Sequence, residues 1–203
     1  KFIFIHIPKC AGNTTRNWLR AYDTRGEFFW GAYQSYHKPG CIVDLAHITL
    51  PVLKTMLGEE VFNSYYKFAV IRNPYDRAYS AFVEASKYFP DYRTHDGFKR
   101  FLTQNLTSIT FDQFIKGGNT NVHFTPQHMY VYEDGEKIVD HVCRLDDIDQ
   151  ELRRIACQLG LDYPEELENL AVRGNIETGS YRYMSKYNKK LIQIINQVYE
   201  KDF

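Results

Sequence analysis

The stretch Phe2-Ile3-Phe4-Ile5-His6-Ile7-Pro8-Lys9-Cys10-Ala11-Gly12-Asn13-Thr14-Thr15 decides the fold. Phe2 to Ile7 is a continuous apolar run and reads as a buried strand, while the residues from about Asn13 to Tyr22 read as a helix. A loop that joins the end of a strand to the start of a helix lies where free backbone N–H groups and the helix dipole make an anion site. Gly12 lets the backbone approach a ligand closely, Thr14 and Thr15 add hydroxyl donors, and Lys9 adds a mobile cation. The ordinary nucleotide loop, G-x-x-x-x-G-K-[ST], has its lysine after the last glycine, whereas Lys9 stands three residues before Gly12. That departure argues against an ATPase or kinase. The alternative for the segment alone is a threonine-capped turn with a solvated lysine.

Outward from this loop, Tyr65 to Ile71 is a second strand rich in aromatic and β-branched residues, stopped by Arg72-Asn73-Pro74. A helix follows at once, with Tyr75, Ala78, Tyr79, Phe82 and Phe89 in a stripe expected to face the sheet. Between the two motifs, Cys41 to Val43 reads as a short strand leading to His47, and Pro51 to Leu57 as a helix ended by Gly58. Residues 90 to 128 read as polar loops around short helices such as Phe111 to Lys116, a stretch suited to a lid or cleft. Met129 to Tyr132 and Lys137 to Cys143 flank a reversal at Asp134-Gly135 and read as a hairpin or strand pair. Asp146 to Leu159 and about Ser185 to Glu200 read as helices. The alternation implies an α/β fold: a single domain over 1–203, P-loop-like and three-layered (α/β/α), with a largely parallel central sheet.

Composition narrows the function. An apolar fraction of 44% and a charged fraction of 25% are those of a soluble globular chain, and no run approaches a membrane span. Lysine plus arginine equals aspartate plus glutamate at 25 each, so no global field draws the chain to nucleic acid or to an anionic membrane. Any anion site is therefore local. Cys10, Cys41, Cys143 and Cys157 form no C-x-x-C pair, which slightly favours a reducing compartment. The chain opens directly on its first strand, so a preceding anchor or signal is left open.

The second strand end carries its own anion chemistry. Arg72 can fork onto a phosphate and Ser80 can donate from the helix that follows, while Arg77, three residues before Ser80, is expected to pair with a nearby carboxylate. The loop P-K-C-A-G-N-T-T and the segment R-N-P-Y-D-R-A-Y-S-A-F, each after an apolar strand and in this order, resemble the sulfotransferase superfamily. Within it the chain resembles the carbohydrate branch of heparan and chondroitin sulfotransferases. The likeness extends through Phe124 to Gln127, Arg144-Leu145-Asp146 and Ser180 to Tyr183. It implies a donor, 3'-phosphoadenosine 5'-phosphosulfate, with 3'-phosphoadenosine 5'-phosphate as product, and no metal. It also implies that Lys9, Ala11, Gly12, Asn13, Thr14 and Thr15 hold the 5'-phosphosulfate, that Arg72 and Ser80 hold the 3'-phosphate, and that Tyr181 and Arg182 belong to a loop closing over the nucleotide.

Transfer to a hydroxyl needs a base, for which histidine is the natural choice, and a cation for the leaving phosphate, for which Lys9 is the candidate. Of the seven histidines, His6 in the first strand and His141 in the hairpin read as packed or orienting residues. His47 matches the region of the catalytic histidine in the resembling carbohydrate enzymes, His123 is the second choice, and Glu84 is the candidate glutamate, otherwise a solvated helix residue. The resemblance points to a glycan hydroxyl as acceptor, with the aromatic residues of Phe28 to Tyr36 as a sugar-stacking surface or as ordinary packing. A small-molecule kinase and a non-catalytic nucleotide-binding module are the alternatives. For location, a soluble cytoplasmic protein is expected, or a Golgi-lumen one if an anchor was removed.

Overall fold

The structure, a computed structural model, describes residues 1–23, 45–106, 122–164, 167 and 183–203. Among the described residues three parallel strands form the main sheet: β1 (Phe2–Ile5), β2 (Tyr66–Ile71) and, after the two-stranded pair β3 (Tyr132–Glu133) and β4 (Glu136–Lys137), β5 (His141–Arg144), in the order β1-β2-β5. The register sets Ile5 beside Ala69 and Ile71 beside Arg144, so β2 runs two residues past the end of β1. The chain leaving β1 therefore turns over the C-terminal end of β2. The apolar run does not stay extended to Ile7 as expected, because the Ile7 N–H bends back to the Ile5 carbonyl at 3.1 Å and frees His6 from the ladder.

Among the described residues the helices are α1 (Gly12–Leu19), α2 (Leu50–Leu57), α3 (Glu59–Ser64), α4 (Pro74–Tyr88), α5 (Gly97–Phe101), α6 (Ile148–Leu159) and α7 (Lys189–Val198). The sheet is flanked by helices, in agreement with the expected α/β class. Trp18 and Leu19 of α1, Leu50 and Leu53 of α2, Phe62 of α3 and Leu152, Ile155 and Ala156 of α6 share one core with Ile5, Phe68, Ala69, Val70 and Cys143. Gly58 and Gly160 end α2 and α6 with φ of 78° and 65°, conformations that cost a residue with Cβ. α3 was not foreseen, since its six residues are too few for a periodic pattern.

Two expectations change. The stripe of α4 does not face the sheet: Ala78, Ala81, Tyr75, Tyr79 and Phe82 pack in a second core with Phe98 and Phe101 of α5 and Leu191, Ile194 and Ile195 of α7. A fifteen-residue helix beside strands of four to six residues outruns the sheet, and its aromatic face closes against other helices instead. Phe89 lies beyond the helix, 42% exposed against Tyr92. The hairpin is also shorter than read. Asp134 and Gly135 do turn with φ of 51° and 85°, but His141 to Arg144 leave the hairpin and join β2 in parallel. Cys41 to Val43, Phe28 to Tyr36, Phe111 to Lys116, Tyr181 and Arg182 lie outside the described residues.

Candidate active site

Between β1 and α1 the chain takes two left-handed turns at residues other than glycine, with φ of 67° at Lys9 and 56° at Ala11. Such conformations cost about 1 kcal/mol or more each and gather where a loop must present its backbone in one way. Left-handed residues alternating with others are the backbone pattern from which anion nests are built. Ala11 caps α1 without a side-chain hydrogen bond, and the first turn carries no acidic residue. The positive end of α1 is thereby left for an external anion.

Each loop residue has a distinct setting. Gly12 is buried because the His6 ring lies on it: a Cβ there would sit 1.7 Å from ring atoms of His6. Asn13 is exposed and Thr14 half-buried, at the open start of the helix. Thr15 is brought to the loop but turned inward: its side chain is fully buried, and both its N–H and its hydroxyl donate to the Ala11 carbonyl, at 3.1 and 3.3 Å. Its observed work is to close the first helical turn. The Cys10 thiol is buried, donates to Gln127 Oε1 at 3.3 Å, and is pushed up to about 11 by burial.

Lys9 reaches Glu84 of α4 at 3.1 Å, and Glu84 also takes Lys87 at 2.8 Å. Burial lowers the Lys9 ammonium from its ordinary value, opposed by Glu84. The hydrogen bond from Lys87, reinforced by Lys9, holds the Glu84 carboxyl below its usual range. Glu84 is therefore a charged, ion-paired neighbour of Lys9, not the solvated helix residue of the simpler reading.

Arg72 follows β2 directly. Its Nε donates to Asp76 at 2.7 Å and its Nη1 to the Lys9 carbonyl at 3.1 Å, so the guanidinium already bridges both motifs and is fixed in direction. Those bonds use two of its five N–H groups. Asn73 caps α4 through Tyr75 N, and Pro74 and Asp76 complete its first turn, so this helix start is closed to an anion by its own residues. Side chains must do the reading here. Ser80 is half-buried on α4, and its hydroxyl has no hydrogen bond among the described residues.

Arg77 corrects the sequence reading. Among the described residues it pairs with no carboxylate; 1% exposed, it donates from Nε to the Pro8 carbonyl at 3.1 Å and from Nη2 to the carbonyls of Thr125 at 2.7 Å and His123 at 3.4 Å. Carbonyls that the sharply turned loop leaves unpaired supply acceptors that no spacing rule could locate.

His6, His47 and His123 come together beside Lys9. The His6 and His47 rings lie 4.3 Å apart between centroids, and those of His47 and His123 5.5 Å apart. His47, in the turn Leu45–His47, places Nδ1 3.1 Å from the His6 carbonyl. A carbonyl only accepts, so Nδ1 carries the proton and, in the neutral ring, Nε2 holds the lone pair. This is the tautomer a base requires. Burial pushes His6 down to about 2 and His123 down to about 4, with His47 the next cause for each, so both are neutral around pH 7. His6 is the packed residue that was expected, though in the loop. His141 has its own partner, Glu151 at 2.7 Å, in β5.

Adjacent parallel strands, one ending in a loop with two left-handed residues and the other in a braced arginine, with helices flanking them, define an α/β protein. A family model described as "Sulfotransferase family" matches residues 1–203, the whole sequence given, and the chain belongs to that family. It is accordingly an enzyme of sulfuryl transfer. No curated protein and no solved structure matches the chain.

Proposed function

We propose that the enzyme transfers the sulfuryl group of 3'-phosphoadenosine 5'-phosphosulfate to a hydroxyl, with His47 as base. The observation carrying this reading is the His47 Nδ1 bond to the His6 carbonyl, which makes Nε2 the lone-pair nitrogen of the neutral ring. The backbone of Ala11, Gly12, Asn13 and Thr14 would hold the 5'-phosphosulfate, with Thr15 keeping that turn in shape. Arg72 and Ser80 would take the 3'-phosphate; Tyr181 and Arg182 keep their place in the proposal by resemblance alone.

In the reaction the acceptor oxygen attacks sulfur in line as the bond from sulfur to the bridging phosphate oxygen breaks. The hydroxyl proton passes to His47 Nε2, and the electron pair stays with the 5'-phosphate of the departing 3'-phosphoadenosine 5'-phosphate. Positioning and electrostatics carry most of such a transfer. Lys9 offsets the charge that grows on the leaving oxygen; to do so it must turn from Glu84 toward the phosphate. A carbohydrate acceptor follows from the resemblance to the glycan-modifying branch.

The test is transfer of labelled sulfate from the donor to a panel of sugar acceptors. His47→Ala should cut kcat by about 10²- to 10⁴-fold, the ordinary contribution of a general base, with donor affinity kept. Undiminished turnover would remove His47 from the role and leave His123 and Glu84 to be tried.

A further inference from the structure

Both phosphate motifs converge on one side chain that belongs to neither. Gln127, 2% exposed, accepts the Arg72 N–H on Oε1 at 2.8 Å, donates from Nε2 to the Arg72 carbonyl at 2.8 Å, and accepts the Cys10 thiol on the same Oε1 at 3.3 Å. Its amide thus continues the strand ladder for one residue past Ile71, pairing both backbone groups of Arg72 as a neighbouring strand would. β1 cannot supply that pairing, because it ends opposite Ala69. The third bond ties the same amide to the loop between Lys9 and Ala11.

Gln127 is itself set by the chain's last turn. Asp202, whose side chain is fully buried, accepts the N–H of Gln127 at 2.8 Å and the N–H and ring Nδ1 of His128, both at 2.9 Å. Tyr199 donates its hydroxyl to the Phe124 carbonyl at 2.9 Å, and its ring lies 5.7 Å from the Arg77 guanidinium. A buried carboxylate is tolerated where it accepts several hydrogen bonds.

We propose that Gln127 and Asp202 are positioning residues for the donor nucleotide, a proposal that rests on the nucleotide reading above. Gln127 fixes the backbone from which Arg72 projects, and Asp202 fixes Gln127. Their effect is to hold the 3'-phosphate reader at a set distance from the 5'-phosphate loop, so that a nucleotide with both groups is preferred to one lacking the 3'-phosphate.

The experiment is calorimetric titration of the full chain with 3'-phosphoadenosine 5'-phosphate and with adenosine 5'-phosphate, for the unmutated protein, Gln127→Met and Asp202→Asn. Methionine keeps the shape without the three bonds; asparagine turns an amide donor toward backbone N–H groups. The unmutated protein should prefer the bisphosphate, and each variant should lose at least tenfold of that preference while its affinity for adenosine 5'-phosphate changes less than threefold. In turnover, donor KM should rise more than kcat falls. Loss of binding to both nucleotides in equal measure, or an unchanged preference, overturns the proposal; thermal melts identify a variant that has lost its fold, in which case the other variant decides. No preference in the unmutated protein would instead overturn the nucleotide reading.

Discussion

Gly12 shows how one missing carbon organises the site. The His6 ring occupies the space where a Cβ would stand, so ring and loop are packed at van der Waals contact. Gly12→Ala forces His6 away, and with it the carbonyl that sets the His47 tautomer. The expected outcome is a fall of tenfold or more in both donor affinity and kcat, measured by nucleotide titration and by transfer assay. A variant with unchanged affinity and rate would show that His6 is free to move. At this scale the sequence was informative about residue types. Lys9, Arg72 and Ser80 stand out in the sequence as candidates because strand ends and helix starts are places where polar side chains gather. The inward turn of Thr15 was not, since it depends on φ at Ala11; nor was the Glu84 contact with Lys9, formed between residues 75 apart.

Among elements, the decisive contacts join a loop to a helix that sequence patterning assigned to the wrong neighbour. The period of α4 was right and its partner was not: a 3.6-residue repeat reports that a face is covered, never by what. Arg77 lies on this helix and ties the Pro8 turn to the Thr125 turn through three carbonyls. Each buried carbonyl left without a donor costs about 1–3 kcal/mol. Arg77→Met is therefore expected to lower stability by about 3–5 kcal/mol, read from urea unfolding midpoints. A loss under about 1 kcal/mol would mean that neighbouring groups replace its bonds. The strands β1 and β2 were visible as apolar runs and β5 as part of the strand read over Lys137 to Cys143, but the parallel pairing of β5 was hidden by the nearby Asp-Gly turn, a local signal strong enough to suggest that the whole segment folds back on itself.

Over the whole molecule the site imposes a pH dependence on folding. His6 and His123 sit below the ordinary histidine value of 6.5, at about 2 and about 4, because burial and the facing His47 and Lys9, with Arg16 beside His6, disfavour their charged forms; Glu84 opposes this weakly at His123. As pH falls below about 6.5 the unfolded chain takes up protons that the folded one refuses, so stability declines with acidification. Each histidine contributes about 1.4 kcal/mol per pH unit, His123 until about pH 4 and His6 further down. Urea midpoints at pH 7, 6 and 5 should fall in step, and His123→Asn should flatten the decline; an unchanged slope would show that His123 titrates normally. Membership of the sulfotransferase family and the α/β class were legible from two short motifs in the right order. The brace formed by Gln127, Arg77 and the last turn was not, because it is built from contacts across most of the chain.

The most direct measurement is a structure of the protein with 3'-phosphoadenosine 5'-phosphate bound. The account predicts the 5'-phosphate on the N–H groups from Ala11 to Thr14 with Lys9 turned from Glu84 toward it, and the 3'-phosphate within hydrogen-bond reach of Arg72 and Ser80. A nucleotide bound the other way round, or one whose 3'-phosphate touches neither Arg72 nor Ser80, would contradict it.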